Sequence, residues 1–226
     1  MRREFSTTKE MLWFSVPPTF VGGALIAFAN YPWILFAIPI FAIVFFVQNF
    51  FRDPRRTIPD GRSDVVSPAD GKVVAVESLK ESPYYRGPCQ RVSIFLSVFN
   101  VHVNRVPVAG RITRIEYKQG KFLNAIAAVS GEQNESNAVY IQGEHGAFVV
   151  RQIAGLIARR IVCVAKENDQ FERGEKFGMI RFGSRTELYV PPDSTICVKI
   201  GDKVKGGATI VARTDIRPAE SLRAAS

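Results

Sequence analysis

From Val65 onward the chain is written in short runs of Val and Ile, each closed by Gly, Pro, Asn, Asp or Ser. The clearest are Lys72–Val76, Val92–Leu96, Arg111–Tyr117, Ala138–Gln142, Phe148–Ile153, Ile161–Ala165, Leu188–Val190 and Ile196–Ile200. Such runs are too short for a helix that must bury one face, and their β-branched side chains suit a pleated, half-buried surface. The pattern predicts a mainly β fold, a sandwich or barrel of short strands. Helical patterning is weak here, and only Leu123–Val129 reads as a short helix. No fixed-period repeat is present.

Ahead of this region the composition changes. The chain of 226 residues is 46% hydrophobic, an average that hides a nearly all-apolar stretch from Met11 to Phe51. It divides at Asn30-Tyr31-Pro32 into Met11–Ala29 and Trp33–Val47, which predicts a helical hairpin. Pro17-Pro18, Gly22-Gly23 and Pro39 are expected to interrupt these helices. Arg2, Arg3 and Lys9 precede the hairpin and Arg52, Arg55 and Arg56 follow it. Basic flanks at both ends put both ends on the cytoplasmic side of a membrane. The expectation is a membrane-associated segment, residues 1–56, and a β-rich catalytic domain, residues 57–226, on the cytoplasmic face of the cell membrane. A spanning helix needs about 20 apolar residues, so spanning and peripheral attachment both remain open. The formal charge of +9 fits an anionic lipid surface. No basic block or RNA-binding motif accompanies it, so nucleic acid is not an expected partner.

Cys89, Cys163 and Cys197 form no CxxC pair, and His102 and His145 are the only histidines, so neither a disulfide framework nor a multi-histidine metal site is indicated. Cys163 and Cys197 sit in apolar runs and are expected in the core. His145, in Gly143-Glu144-His145-Gly146, reads as a hairpin turn. His102 alternates with valines, and Asn100 and Asn104 share its face by the period of a strand, a polar stripe that suits a site better than a core. Asp70, before Gly71, has the plain reading of a turn aspartate. So does the pair Gly183-Ser184, with one difference. Without a Cβ, Gly183 permits the Ser184 hydroxyl to approach the preceding carbonyl, the geometry of an N-to-O acyl shift.

Ser67-Pro68-Ala69-Asp70-Gly71-Lys72-Val73-Val74 and Val198–Gly207 resemble the half-motifs of barrel-sandwich hybrid domains. That likeness sustains an alternative: a membrane-tethered carrier or phosphocarrier that stays one chain and uses a lysine or His102. The segment from Lys176-Phe177-Gly178 to Phe182-Gly183-Ser184 is more specific. It resembles the cleavage-site segment of phosphatidylserine decarboxylase proenzymes of the short prokaryotic type. Phe50–Arg56, Phe99–Pro107 and Asn134-Glu135-Ser136-Asn137 extend the resemblance, which runs from Phe51 to about Val211. It implies a zymogen that cleaves itself between Gly183 and Ser184. A β chain (1–183) and an α chain (184–226) would remain as a heterodimer, with a pyruvoyl group made from Ser184 and no external cofactor or metal. The implied reaction converts phosphatidylserine to phosphatidylethanolamine and CO2, with anionic membrane lipid as surroundings. The implied site is Ser184, His102 and Asp70, His102 being oriented by Asp70 to take the Ser184 proton. Two departures stand out: Arg105 where some members carry a second histidine, and Ser136 where the family usually has Arg.

Overall fold

The computed structural model describes residues 7–28, 31–121, 133–155, 160–181 and 184–214. The expected helix at Leu123–Val129 and the residue Gly183 lie outside the described residues. The chain divides into two compact units, Met1–Arg55 and Arg56–Ser226.

The first unit is a pair of helices packed on each other, α1 (Thr7–Phe28) and α2 (Tyr31–Phe50). Contrary to expectation, Pro17 and Pro18 do not end α1, and Pro39 does not end α2. Each proline deletes one intrahelical hydrogen bond. Around the pair in α1, the Ser15 and Thr19 hydroxyls donate to the carbonyls of Met11 and Ser15, each at 2.7 Å, and keep nearby backbone oxygens bonded. Gly22 sets the approach of the helices, because a Cβ there would lie 3.2 Å from Ile40 and Phe41. Trp13, Phe20, Ile38 and Phe45 are exposed, so the outside of the pair is apolar. Among the described residues no helix is long and apolar enough to cross a membrane.

The second unit is built of short strands, as its Val/Ile runs require. They are β1 (Asp64–Val66), β2 (Gly71–Leu79), β3 (Cys89–Leu96), β4 (Val103–Arg105), β5 (Gly110–Lys118), β6 (Ser136–Gly143) and β7 (Gly146–Ala154). There follow β8 (Ile161–Cys163), β9 (Gln170–Phe171), β10 (Lys176–Ile180), β11 (Ser184–Val190), β12 (Thr195–Ile196), β13 (Lys203–Val204) and β14 (Ile210–Arg213). An antiparallel sheet of order β13-β2-β3-β11-β7-β6-β5-β9 curls into a half barrel, and two three-stranded sheets, β4-β10-β8 and β1-β14-β12, accompany it. Val73, Val92, Ile94, Ile112, Val139, Val150 and Leu188 fill the core. The mainly β fold with an N-terminal helical pair agrees with the sequence reading.

The two half-motifs meet. β13 pairs with β2, Gly207 N–H donates to Ser67 O at 2.8 Å, and Ser67 N–H donates to Thr209 O at 2.8 Å. Gly207 makes this closure at φ +76°, a backbone state that suits glycine. The run Ile196–Ile200 departs from its reading. Only Thr195–Ile196 pairs, because Lys199 and Asp202 close a turn in which Lys199 N–H donates to Asp202 Oδ2 at 2.9 Å. Cys197 is therefore exposed and Cys163 only half-buried, while Cys89 is the buried thiol. His145 does occupy the tight turn between β6 and β7, closed by the Gly143–Gly146 pair.

Gly178 in β10 is the tightest strand contact near the site. A Cβ there would meet Val162 O at 2.2 Å and Gln152 Nε2 at 3.2 Å, and neither the backbone of β8 nor a buried amide can yield freely. Gly178→Ala is expected to destabilise the domain by about 1–3 kcal/mol, the usual cost of overpacking. Thermal unfolding in detergent checks this; an unchanged melting temperature would show that the strands can part.

Candidate active site

Strand β11 is hydrogen-bonded on both sides, to β3 and to β7. Its alternate residues Leu188 and Val190 point into the core, so Ser184 and Thr186 share that face by the two-residue period. Register sets the rows across the sheet. Val92, Leu188, Val150 and Val139 form an apolar row; Ile94, Thr186, Gln152 and Asn137 form the next; Leu96, Ser184 and Ala154 form the last. The core face thus turns polar at the end where β11 begins. Ser184 is wholly buried there, and among the described residues its hydroxyl has no hydrogen-bond partner. Its neighbour Ala154 is pinned through both backbone groups: Asn134 Nδ2 donates to Ala154 O at 2.8 Å, and Ala154 N–H donates to Glu135 O at 2.9 Å. This is the work of the Asn134-Glu135 part of the motif.

His102 is buried, and it stands just ahead of β4 rather than inside a strand. Its carbonyl accepts the Ile180 N–H at 3.3 Å, at the last residue of β10 and four positions before Ser184. Its Nδ1 lies 2.9 Å from Asn100 O. A carbonyl only accepts, so Nδ1 carries the hydrogen and the neutral ring keeps its lone pair on Nε2. The Asn100 carbonyl is itself fixed by a turn: Asn100 N–H donates to Ser97 O at 2.9 Å, and Ser97 N–H and Oγ donate to Asn100 Oδ1 at 2.9 and 2.8 Å.

Asp70 does not orient His102 in this structure. Its Oδ2 takes Arg56 at 2.7 Å and its Oδ1 takes Gly206 N–H at 2.8 Å, so the carboxylate ties the first half-motif to the second. The turn it belongs to still abuts β4, the strand that follows the histidine, since Pro68 O accepts Arg105 N–H at 2.9 Å. Arg105, at the position of the second family histidine, donates from Nη1 to Gly174 O at 2.9 Å. Among the described residues no group of three or more His, Cys, Asp or Glu side chains is placed to hold a metal ion.

Sequence reasoning missed Gln152 and Thr186 as members of this end of the core. The signal was there: both are polar at inward positions of strands whose next inward residues, Val150 and Leu188, are apolar. Asn104, noted as part of a polar stripe, joins them. Its Nδ2 donates to Thr186 Oγ1 at 3.1 Å and its Oδ1 accepts from Gln152 Nε2 at 2.9 Å, while Gln152 Oε1 accepts from Asn137 Nδ2 at 3.0 Å. Asn100, the other member of that stripe, spends its side chain on the Ser97 turn instead. Burial pushes the Cys163 thiol, on the neighbouring β8, up and keeps it protonated.

The opposite face of the sheet carries charge. Glu187, wholly buried, meets Arg185 at 2.6 Å, Arg151 at 3.3 Å and Arg91 at 3.9 Å, and accepts the Tyr189 hydroxyl at 2.8 Å. Arg151 also lies 4.0 Å over the Tyr84 ring and donates to Ser136 Oγ at 3.1 Å, so the small residue at 136 leaves room for an arginine from the next strand. Burial and the Glu187 charge push the Tyr189 phenol up, which keeps it a donor.

Comparison with known proteins places this geometry in company. The family model described as phosphatidylserine decarboxylase matches residues 43–212. A phosphatidylserine decarboxylase proenzyme of Syntrophus aciditrophicus is 48% identical over 181 residues, covering 80% of this chain and 84% of that protein. The proenzyme of Carboxydothermus hydrogenoformans is 44% identical over 192 residues, covering 84% and 87%. That of Cupriavidus taiwanensis is 42% identical over 206 residues, covering 88% and 94%.

The ionic layer behind the site sets its own test. Glu187→Ala strands buried guanidinium groups in a dry layer, and breaking such a pair costs about 3–5 kcal/mol. Denaturant unfolding should show a loss of that order, whereas Arg91→Ala, which removes the most distant of the three partners, should cost less.

Proposed function

Because the chain belongs to the phosphatidylserine decarboxylase family, we propose that it is made as a precursor that cleaves itself at Gly183–Ser184 and then decarboxylates phosphatidylserine to phosphatidylethanolamine. The carrier reading makes no use of Ser184 and gives way to this one. The observation that carries the proposal is the Ser184 hydroxyl, buried without a partner among the described residues at the first position of a central strand. A buried polar atom with no bond is rare and calls for a reason. A nucleophile held ready supplies one.

The processing steps follow from the residues. His102 Nε2, its ring held by the Asn100 carbonyl, takes the proton from Ser184 Oγ. Oγ attacks the Gly183 carbonyl carbon, and the peptide bond becomes an ester with a free amine on residue 184. Loss of the Ser184 α-proton breaks the Cβ–O bond, releases residues 1–183 as a carboxylate and leaves dehydroalanine. Its imine form takes up water and loses ammonia, giving a pyruvoyl group at the head of 184–226. Asp70 belongs to this machinery by the family resemblance and by its place beside β4, the strand that follows the histidine; releasing Arg56 would free it to act on His102.

The residues fit that group: its carbon skeleton is that of Ser184, and Leu96 and Ala154 flank it in register. Once formed, the group would supply a ketone able to condense with the amine of the lipid headgroup and a conjugated carbonyl able to accept the electrons left by CO2. His102, protonated on Nε2, then returns a proton to the substrate carbon. The α chain stays with the β chain as a heterodimer through β11 between β3 and β7, β13 on β2 and β14 on β1.

The apolar outside of the helical pair supports attachment to the membrane, with the site on the cytoplasmic side where basic flanks lie. Arg52 and Arg55 are exposed and suited to anionic headgroups, while Arg56 is committed to Asp70.

Intact-mass spectrometry of the purified protein tests the proposal. The wild type should give two chains parted after Gly183, the second lacking a free amine. Ser184→Ala should give one chain and release no CO2 from phosphatidylserine vesicles, and His102→Gln and Asp70→Asn should accumulate precursor. A Ser184→Ala protein that still parts at the same bond would overturn it.

A further inference from the structure

We propose that the Asn104–Thr186 hydrogen bond is the joint that sets His102 against Ser184, and that both residues are positioning residues for self-cleavage. The inference rests on the processing reading above. Thr186 stands two residues after Ser184 on the same face of β11, and Asn104 stands two residues after His102 on β4. A single bond of 3.1 Å therefore connects the two reactive segments one strand step from each reactive side chain.

The amide of Asn104 has one orientation open to it. Its Nδ2 faces Pro68 O at 3.4 Å and Thr186 Oγ1 at 3.1 Å, and a backbone carbonyl can only accept. Its Oδ1 faces Gln152 Nε2 at 2.9 Å, and Gln152 is in turn fixed by Asn137 at 3.0 Å. Asn104, Gln152 and Thr186 are wholly buried and Asn137 nearly so. The row is a continuous chain of three hydrogen bonds, so it resists sliding in a way that an apolar contact does not.

Stability alone does not call for this row. One step further along, β3, β11, β7 and β6 close the same sheet with Val92, Leu188, Val150 and Val139. Burying amides and a hydroxyl in place of such residues incurs a desolvation cost that their hydrogen bonds only offset. Polarity begins at the row beside Ser184 and supplies what valines cannot, a directional link between two separate sheets. The link also survives chain cleavage, because Thr186 falls in 184–226 and Asn104 in 1–183.

Paired substitutions at 186 test the joint. Thr186→Ser keeps the hydroxyl and loses a methyl; Thr186→Val keeps the shape and loses the hydroxyl. Each precursor is made by cell-free synthesis with phosphatidylglycerol/phosphatidylethanolamine nanodiscs, and its conversion to two chains is followed by mass. Misplacing reacting groups by about 1 Å can cost on the order of 100-fold, so Thr186→Val should process at least about tenfold more slowly than wild type. Thr186→Ser should process close to the wild-type rate, and limited proteolysis should find all three equally folded. Thr186→Ala replaces the valine variant if that one proves protease-sensitive. A hydroxyl-free variant that is folded and processes at the wild-type rate overturns the joint alone. So does slowing of the serine and valine variants in equal measure, which would mark simple packing. A wild type that remains one chain overturns the processing reading and the joint together.

Discussion

The site depends on β11 being held on both edges by backbone hydrogen bonds, to β3 along one side and to β7 along the other. A strand in that position has no freedom to twist or slide, so the side chain at its first residue is fixed in direction by the whole sheet. Ser184 is that residue. A loop serine would need side-chain bonds to hold it, and those bonds would occupy the hydroxyl. Here the backbone does the holding and the hydroxyl is left without a partner among the described residues. The same arrangement would keep 184–226 in place under the proposed cleavage. Its first strand is interior to the large sheet, and its later strands β13 and β14 pair with β2 and β1, near the start of the domain.

The two faces of β11 are built from opposite chemistry, and each needs the other. On the inner face Leu188 and Val190 give way to Thr186 and Ser184, and on the outer face Arg185, Glu187 and Tyr189 form an ionic layer. A reactive end needs a rigid backing that does not compete for the nucleophile. The guanidinium groups of Arg185 and Arg151 point at Glu187 from the far side of the sheet, so the alternation of the strand keeps them from donating to Ser184. The layer is a weak source of net stability, since desolvation offsets much of its attraction, but it is intolerant of losing its one shared carboxylate.

Much of this was legible in the sequence, because strand alternation and turn chemistry are local. The Val/Ile runs located β2, β3, β5, β6, β7 and the end of β11, and Gly143-Glu144-His145-Gly146 located a hairpin turn. The helical pair was legible too, though its prolines misled: packing of α1 on α2 outweighs a few lost backbone bonds. The short strands β1, β4, β13 and β14 were not legible, since two to four residues carry no measurable period and their pairing partners are distant in sequence. Cys197 failed for a related reason, because an apolar run ended in a turn set by Asp202. At the site, Ser184 and His102 stood out by their motifs. The buried polar row beside them did not, because it becomes visible only when register brings Thr186, Gln152 and Asn137 side by side.

Asp70 shows how one residue can carry two readings that compete physically. As a turn aspartate before glycine it closes the hybrid fold, with one oxygen on Gly206 N–H and the other on Arg56. As a member of a proton-transfer chain it would have to face His102. The first arrangement needs the carboxylate charged and paired; the second needs it to give up one partner. Gly206 and Gly207 belong to the segment after the Gly183–Ser184 bond, whereas Arg56 belongs to the segment before it. If the proposed cleavage takes place, the turn at Asp70 touches both products, and facing His102 would require the carboxylate to exchange its one ion pair. An aspartate in a rigid strand could not make that exchange. One on a turn between half-motifs, held by an arginine rather than by the sheet, can.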